Sequence, residues 1–393
     1  MVEKFDAIVA GLGAMGSASL YQLARRNVKV LGIDRFTPPH SLGSTHGDTR
    51  ITRQAIGEGD HFVPLTLRSY EIFREIEKET GMDLLTITGG LMISSGSRTS
   101  IIHVAEFFEN TLAAANKYGI GHEVLNATEM RRRFPQFLVE DDEIGYFEDE
   151  AGFLRPENCV EAQLCLADKL GARVSTGEQV LDLSSVEGGV HVRTDRGDYL
   201  AEHLVLTAGP WLPKLLGRHG SSLFKVYRQV LYWFDVEEHY DHFVPERFPI
   251  FIWEVQGKGM AMYGFPAIDG PGGGLKIGSG RYLDSIDPDE VNRDVSEHEI
   301  QSMYEMQVEP YFPLLGRRCV RTATCMYTAT ADARFVIDRH PEMQGVIVCS
   351  PCSGHGFKHS AAIGEALAEI VTEGKSRIDL SPFSFACARA HCW

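Results

Sequence analysis

The chain has 393 residues, of which 44% are hydrophobic and 23% are charged. This composition predicts a globular protein of one large or two ordinary domains and excludes a disordered or collagen-like chain. The formal net charge of −16 argues against nucleic acid and anionic membranes as partners, because an acidic protein repels phosphate groups. Apolar runs are too short to span a bilayer and residues 1–6 lack a signal-peptide pattern, so we expect a cytoplasmic protein.

The first 34 residues have the pattern of a strand–turn–helix–strand unit. A short apolar strand over Phe5–Ala10 is followed by the motif Gly11-Leu12-Gly13-Ala14-Met15-Gly16 and by a helical pattern. Asn27 can end this helix, since asparagine tolerates the left-handed conformation. A second strand begins at Val28 and ends at Asp34. The size of the unit is that of a βαβ nucleotide site.

The glycine motif predicts a dinucleotide site. Gly11 makes the tight turn, Gly13 lets a pyrophosphate approach the backbone, and Gly16 lets the helix pack close to the strand. Asp34 is placed to bind a ribose hydroxyl, which disfavours the 2′-phosphate of NADP. The motif alone does not separate NAD from FAD.

The rest of the chain alternates α/β segments with strand-rich ones. A helix is predicted over Pro64–Thr80, with Gly81 as its stop, and another over about Ser360–Glu373. Between them, strand patterns are separated by Gly, Pro and Asp; they cover Gly90–Ser94, Gln229–Val236, Ile250–Val255, Met260–Phe265 and Leu275–Gly278. This order predicts an α/β domain interrupted by an antiparallel sheet that is inserted in two pieces.

The eight cysteines do not indicate a disulfide framework, because a cytoplasmic chain keeps its thiols reduced. Cys349 and Cys352 form a CxxC pair, but no second pair at similar spacing completes a zinc site, so we predict no metal. A dithiol-exchange role for this pair is one interpretation, and ordinary packing at a strand end is the other.

Basic residues cluster in two loops and on one strand. His46, Arg50 and Arg53 follow the dinucleotide motif closely and could bind anions, although an ordinary surface loop is the alternative. The loop Ser353–Lys358 precedes a helix, so its N–H groups could bind a carboxylate or an anionic ring edge. Lys276 lies between two apolar residues of a strand, where most lysines are simply solvated.

Seven separated blocks of the sequence together resemble the monomeric sarcosine oxidase family, which includes N-methyl-tryptophan oxidase. The resemblance covers essentially the whole chain. The blocks are the glycine motif, Pro38-Pro39-His40, His46 to Arg53 with Gly57-Glu58-Gly59, Tyr263-Gly264-Phe265-Pro266, Gly274-Leu275-Lys276, Cys325-Met326-Tyr327-Thr328 and Ser353 to Lys358.

The resemblance implies an α/β flavoprotein in which a Rossmann-like FAD-binding domain is interleaved with an antiparallel-sheet catalytic domain, as in glutathione-reductase-like proteins of the DAO/sarcosine oxidase type. We assign residues 1–87, 151–224 and 332–393 to the FAD-binding domain. Residues 88–150 and 225–331 are assigned to the catalytic domain, whose sheet would cover the flavin.

The resemblance also implies how FAD is held. Cys325 matches the cysteine that is bonded to the flavin 8α-methyl group, so the FAD is expected to be covalent. His46 and Arg50 would lie on the flavin face opposite the substrate and supply the positive charge that favours a thiolate. The predicted cofactor-binding residues are Gly11, Gly13, Gly16, Asp34, His46, Arg50, Val180, Cys325, Gly354, Gly356 and Lys358.

The implied catalytic residues surround an amine substrate. Arg53 and Lys358 match the arginine and lysine that hold the substrate carboxylate. Lys276 matches the lysine beside flavin N5, where a fixed cation stabilises the charge that develops as O₂ is reduced. Tyr263 and Tyr327 match the tyrosines of the substrate pocket. The general base is unassigned.

Two positions depart from the family pattern. Ile56 stands where tyrosine is frequent, and Gly280 stands where histidine is frequent, so polar bulk beside the amine is expected to be lost. We predict a monomeric FAD-dependent oxidase of an N-methyl or N-alkyl amino acid that uses O₂ and forms H₂O₂. A cyclic or larger amine, such as pipecolate or a fructosyl amino acid, is the alternative substrate. Other classes are an NAD-dependent dehydrogenase and a non-catalytic nucleotide-binding or dithiol protein.

Overall fold

The computed structural model describes residues 2–95, 104–236, 238–255, 260–280 and 282–389. The α-helices are α1 (Ala14–Arg25), α2 (Val63–Thr80), α3 (Phe107–Tyr118), α4 (Ala127–Arg133), α5 (Pro156–Lys169), α6 (Leu212–Leu215), α7 (Arg218–Leu223), α8 (Glu297–Met303), α9 (Ser360–Glu373) and α10 (Phe385–Arg389). The strands are β1 (Glu3–Ala10), β2 (Val30–Asp34), β3 (Arg50–Thr52), β4 (Leu85–Ile87), β5 (Gly90–Ser94), β6 (Glu123–Asn126), β7 (Ile144–Glu148), β8 (Gly152–Leu154), β9 (Arg173–Thr176), β10 (Val180–Val186), β11 (Gly189–Thr194), β12 (Asp198–Leu206), β13 (Lys225–Phe234), β14 (Ile250–Val255), β15 (Met260–Gly264), β16 (Leu275–Ser279), β17 (Cys319–Ala329), β18 (Val336–Arg339) and β19 (Val346–Ser350).

The first sheet has a parallel centre with helices packed on it. Its strand order is β10-β11-β12-β1-β2-β9, and β19 pairs with both β12 and β18. Strand β1 is parallel to β2 and β12, and its alternate residues enter two different cores: Ala7 and Val9 face one, Ile8 and Ala10 the other. Burial on both faces explains why this strand is a continuous apolar run rather than an alternating one.

The predicted strand–turn–helix–strand unit is present, with one shifted boundary. Asn27 is left-handed, with φ 57°, as its residue type predicts. The second strand begins at Val30 rather than at Val28, because the Val28 N–H donates to Leu23 O at the helix end and the Lys29 N–H donates to Asp6 Oδ2. These two N–H groups therefore close the turn instead of pairing in the sheet.

The second sheet is built from two separate stretches of the chain. Its order is β17-β13-β16-β15-β14-β5-β7-β6, with strands from residues 90–148 and from residues 225–329. The prediction of a wholly antiparallel sheet is wrong at one place, since β5 and β14 pair in parallel where the two stretches meet. The domain boundaries given above stay a prediction.

Shorter elements connect the two sheets. The small sheet β3-β8-β4 carries Arg50 at the start of β3 and leads directly to Arg53. Helix α2 ends at Thr80 because Gly81 adopts the left-handed conformation, with φ 72°. Among the described residues, no helix is both long and apolar enough to cross a bilayer.

Candidate active site

The glycine motif forms a tight turn between β1 and α1. A Cβ atom on Gly16 would lie 1.7 Å from the Gly11 carbonyl oxygen, so only glycine allows this close packing. A Cβ on Gly13 would meet only the Thr45 Oγ1, at 3.5 Å, so the backbone there is open to a ligand. This is the arrangement that a pyrophosphate needs at a helix N-terminus.

A groove runs from this turn along the carboxyl ends of the parallel strands; we call it the glycine groove. Asp34 lies in it at the end of β2, where its carboxylate accepts hydrogen bonds from the N–H groups of Leu12 and Phe36, at 2.6 and 2.7 Å. The hydroxyls of Ser44 and Ser350 also line the groove and are buried without a partner among the described residues. Both oxygens suit a polar dinucleotide. Other lining residues are Gly11, Gly13, Arg50, Val180, Cys349, Cys352, Gly354 and Gly356.

The loop Ser353–Lys358 closes one end of the groove and leads into α9. Ser353 and Gly354 have φ values of 42° and 85°, and a Cβ on Gly356 would lie 1.4 Å from Pro351 O. The compact turn therefore requires glycine at position 356 and brings Lys358 to a buried position. Lys358 is therefore not the exposed lysine that an ordinary glycine turn before a helix would carry.

A second cavity of about 460 Å³ meets the glycine groove; we call it the Arg53 cavity. Four residues line both spaces, namely Arg50, Tyr327, Gly354 and Phe357, so the two spaces join there. The cavity is otherwise lined by Arg53, Glu58, Tyr263, Gly280, Tyr282, His355 and Lys358, and by apolar side chains that include Ile252, Met262, Phe265, Leu283, Met303 and Met306. Residues far apart in the sequence thus share one space.

Two buried cations and one carboxylate lie at one end of the Arg53 cavity. Arg53 Nη2 donates to Glu58 Oε2 at 2.6 Å and Arg53 Nη1 donates to Ala55 O, whereas Nε has no partner among the described residues. Lys358 Nζ donates to His355 O at 2.7 Å. Burial lowers the pKa of Lys358 to about 7, with Glu58 opposing this shift and Arg53 adding to it. This end of the cavity can accept an anion.

Lys276, on β16, lines neither the glycine groove nor the Arg53 cavity, but its Nζ lies 4.5 Å from the ring centroid of Phe265, which lines the Arg53 cavity. Its Nζ contacts three oxygens: Gly47 O at 2.6 Å, Thr49 O at 2.8 Å and Thr49 Oγ1 at 3.1 Å. Burial, and then the charge of Arg50, lower the pKa of Lys276 well below its usual value. Three acceptors match the three N–H donors of an ammonium, which favours the charged form. The expectation of a solvated surface lysine is wrong.

Tyr263 and Tyr327 face each other in the Arg53 cavity, with their hydroxyl oxygens 3.3 Å apart. Cys325, two residues before Tyr327 on β17, is 1% exposed and packs with Leu231 and Trp233. Burial raises the pKa of the Cys325 thiol, and Arg50 and Lys276 oppose that shift. Burial is the larger influence, so the thiol form is favoured on balance and the two cations only reduce this effect.

His46 does not supply the expected positive charge. Burial, and then Arg50 and Lys276, lower its pKa to about 3, so the ring is neutral at physiological pH. The imidazole lines a third pocket, together with Gly47 and Trp233. Arg50 lines both the glycine groove and the Arg53 cavity, and its position relative to the flavin stays a prediction.

The CxxC pair is placed in the glycine groove rather than at the surface. Burial raises the pKa values of both Cys349 and Cys352. A raised pKa disfavours the thiolate that disulfide exchange needs, so the structure argues against the dithiol interpretation. Among the described residues, no group of three potential ligands could hold a metal ion.

The two departures from the family pattern have different outcomes. Gly280 lines the Arg53 cavity, as expected. Ile56 is fully buried in the hydrophobic core with Phe62 and Phe107 and does not line this cavity, so the structure does not show the predicted loss of polar bulk beside the amine at this position. Glu58 was not predicted as a site residue from the sequence, although a glutamate between two glycines, five residues after Arg53, was a usable signal.

Comparisons with known proteins agree with this geometry. The profile of the family described as "FAD dependent oxidoreductase" matches residues 6–370. The chain is 40% identical to a monomeric sarcosine oxidase of Streptomyces avermitilis over 95% of both chains. It is 33% identical to an N-methyl-L-tryptophan oxidase of Yersinia pestis, over 97% of this chain and 99% of that one. The solved structure of NikD, an unusual amino acid oxidase essential for nikkomycin biosynthesis, is 25% identical, with a TM-score of 0.83 over 98% of both chains.

Proposed function

Because the chain belongs to the FAD dependent oxidoreductase family and, within it, to the monomeric sarcosine oxidase group, we propose that it oxidises a secondary amine that carries a carboxylate. The products would be an imine, hydrolysed to an aldehyde and an amine, and H₂O₂ from O₂. The family match favours FAD over the NAD-dependent alternative, and it predicts a yellow protein where an NAD-dependent dehydrogenase would be colourless.

The unpartnered Nε of Arg53 carries this proposal. A buried N–H donor without an acceptor is costly, and Arg53 lines a cavity in which an anion would satisfy it. The Arg53 guanidinium and Lys358 would hold the substrate carboxylate, the first by directed hydrogen bonds and the second as a point charge. Glu58 would keep the guanidinium oriented while the carboxylate is bound.

The glycine groove and its polar lining would hold FAD, which when bound accepts two electrons from the amine and passes them to O₂. Gly11, Gly13 and Gly16 form the pyrophosphate turn, and Asp34 lies where a ribose hydroxyl is expected. Arg50, at the junction with the Arg53 cavity, would place positive charge beside the flavin ring. Lys276, behind the cavity-lining Phe265 ring, would provide the cation that stabilises negative charge on oxygen.

We further propose that Cys325 is the covalent attachment point of the flavin. Two observations support this assignment: Cys325 stands two residues before Tyr327, which lines both spaces, and the charges of Arg50 and Lys276 offset part of the effect of burial on its pKa. A thiolate is the reactive form of cysteine, so nearby cations favour the bond. The monomeric state and the cytoplasmic location stay predictions.

The shape of the Arg53 cavity favours a substrate larger than N-methylglycine. Its volume of about 460 Å³ lies in the range of roughly 300–1,000 Å³ found for drug-sized ligands. Away from the cations, the lining includes Ile252, Met262, Met303 and Met306, and Gly280 leaves space where a side chain could stand. Methionines adapt to varied shapes. We propose an amino acid whose N-alkyl or α-carbon substituent is apolar and larger than methyl.

A panel of amines tests this proposal. Peroxide formation by the purified yellow protein would be measured with N-methylglycine, N-methyl amino acids of increasing side-chain size, a cyclic secondary amino acid and a fructosyl amino acid. We expect kcat/KM to rise from N-methylglycine to the apolar, larger N-methyl amino acids. Peroxide from N-methylglycine alone would refute the larger substrate, and no peroxide from any of these amines would refute the proposed reaction.

A further inference from the structure

Glu148 is a fully buried glutamate that lies outside both the glycine groove and the Arg53 cavity as these are defined above. It ends β7 of the second sheet and has no exposed surface. Its Oε1 accepts the Gln54 N–H at 2.6 Å, and its Oε2 accepts the Ala55 N–H at 3.1 Å and the Tyr146 O–H at 3.1 Å. A carboxylate buried this deeply is costly unless it is fully hydrogen-bonded, and this one has three donors.

Two of these donors belong to the turn that follows Arg53. Both backbone polar groups of Ala55 are hydrogen-bonded: its N–H donates to Glu148, and its carbonyl oxygen accepts from Arg53 Nη1. The chain direction at Arg53, and with it the direction of the guanidinium, therefore depends on where Glu148 holds residues 54 and 55. Tyr146 lies two residues earlier on the same face of β7 and fixes the carboxylate in turn.

We propose that Glu148 is a positioning residue for Arg53: its carboxylate ties the Gln54–Ala55 turn to the second sheet and thereby aims the guanidinium into the Arg53 cavity. This inference rests on the proposed function, in which Arg53 binds the substrate carboxylate. The affinity for that carboxylate would then depend on Glu148, which does not touch the substrate. This one carboxylate would then link the second sheet to the turn that follows β3 of the small sheet.

Glutamine is the informative replacement because it has nearly the same shape but only one acceptor oxygen. In Glu148→Gln, the amide NH₂ must face either the Gln54 N–H or the Ala55 N–H, and two donors cannot share a hydrogen bond. Leaving one buried donor unsatisfied should shift the turn and move the guanidinium. We expect the dissociation constant of acetate, used as a carboxylate probe without an amine, to rise about 10-fold or more.

The chain offers a matched control in Glu143. Glu143 is also a buried glutamate and directly precedes β7. Its carboxylate also accepts hydrogen bonds from two N–H groups, those of Trp253 Nε1 at 2.6 Å and of the Glu140 backbone at 2.8 Å. Glu143→Gln changes the same chemistry away from Arg53, so acetate affinity should stay within about twofold of wild type. Acetate binding would be measured on the flavin-loaded protein by calorimetry, in the wild-type and the Arg53→Ala background.

The result expected is a loss of acetate affinity in Glu148→Gln that is absent in Glu143→Gln and that disappears when Arg53 is already alanine. Equal effects of the two glutamine variants, or an undiminished effect of Glu148→Gln in the Arg53→Ala background, would overturn the proposal. Should Glu148→Gln not fold, Tyr146→Phe removes one donor to the same carboxylate; a rise in the acetate dissociation constant of about two- to fivefold supports the proposal, and no change overturns it. Since acetate binding requires no turnover, failure of the proposed amine oxidation would be seen separately, as a protein that binds acetate and forms no peroxide.

Discussion

Arg53 and Glu58 form a buried ion pair, with 2.6 Å between Arg53 Nη2 and Glu58 Oε2 and side chains that are at most 3% exposed. A buried charge left without its partner is strongly destabilising, so this pair keeps the guanidinium in place before any ligand arrives. The two terminal nitrogens of the guanidinium donate to Ala55 and Glu58, and Nε is left for a ligand. Ligand binding should therefore depend on the planar shape of the Arg53 guanidinium as well as on its charge.

Arg53→Lys should raise KM for carboxylated amines about 10-fold or more, although the positive charge is kept. A lysine has one nitrogen in place of a planar fork, so it cannot reproduce the separate positions from which Nη2, Nη1 and Nε face Glu58, Ala55 and a carboxylate. Steady-state kinetics would measure KM and kcat. Arg68→Lys is the control, because Arg68 on α2 also pairs with a glutamate, contacting Glu365 through Nε and Nη2, but does not line the Arg53 cavity. An unchanged KM in Arg53→Lys would show that charge alone is sufficient.

Carboxylate binding should weaken as the pH rises through about 7. Burial lowers the pKa of Lys358 to about 7, so its ammonium loses its proton near neutrality, whereas Arg53 stays charged. Acetate affinity, measured by calorimetry between about pH 6 and pH 8.5, should therefore fall with increasing pH in wild type and be flat in Lys358→Met. The same slope in both proteins would assign the titration to another group.

Lys276→Met should slow the reaction of the reduced protein with O₂ and leave anaerobic reduction by the amine nearly unchanged. The buried ammonium is placed to stabilise negative charge on oxygen, and methionine has a similar length without the charge. Because burial lowers the pKa of Lys276, the wild-type rate with O₂ should also decrease as the pH rises, and this dependence should vanish in the variant. Stopped-flow absorbance separates the two half-reactions; a defect confined to anaerobic reduction would contradict the assignment.

Cys325→Ser should release the flavin when the protein is denatured with acid, whereas wild type should keep its yellow colour in the pellet. Cys352→Ser is the control, since Cys352 lines the glycine groove and burial also raises the pKa of its thiol. That variant should retain the colour in the pellet. Release from Cys352→Ser but not from Cys325→Ser would place the bond at the other thiol, and release from wild type would exclude a covalent bond.

The local parts of the fold were predictable because local rules determine them. The glycine motif, the left-handed Asn27 and the stop at Gly81 all follow from the conformational preferences of single residues. The start of β2 was misplaced because the Val28 N–H bonds to the end of α1, and residue type does not reveal that choice. The parallel pair β5–β14 joins distant stretches of chain, so no local pattern predicts it.

The residues of the candidate site were predictable from sequence motifs, whereas their protonation states and contacts were not. Arg53, Lys358 and Lys276 were found because they stand in recognisable blocks, and the structure places the first two in one cavity. The neutral state of His46 depends on burial beside two cations, which a sequence does not show. Glu148 has no motif at all, and its importance appears only where β7 meets the turn after Arg53.

The most direct test of the proposed function compares one amine with and without its carboxylate. The kcat/KM for peroxide formation would be measured with an N-methyl amino acid and with the amine that lacks only the carboxylate, in wild type and in Arg53→Ala. We expect wild type to prefer the carboxylated amine strongly. Arg53→Ala should remove most of this preference, because it loses roughly 2–4 kcal/mol of binding free energy for the carboxylate. Equal kcat/KM for the two amines in wild type, or a preference that survives in Arg53→Ala, would contradict the proposed function.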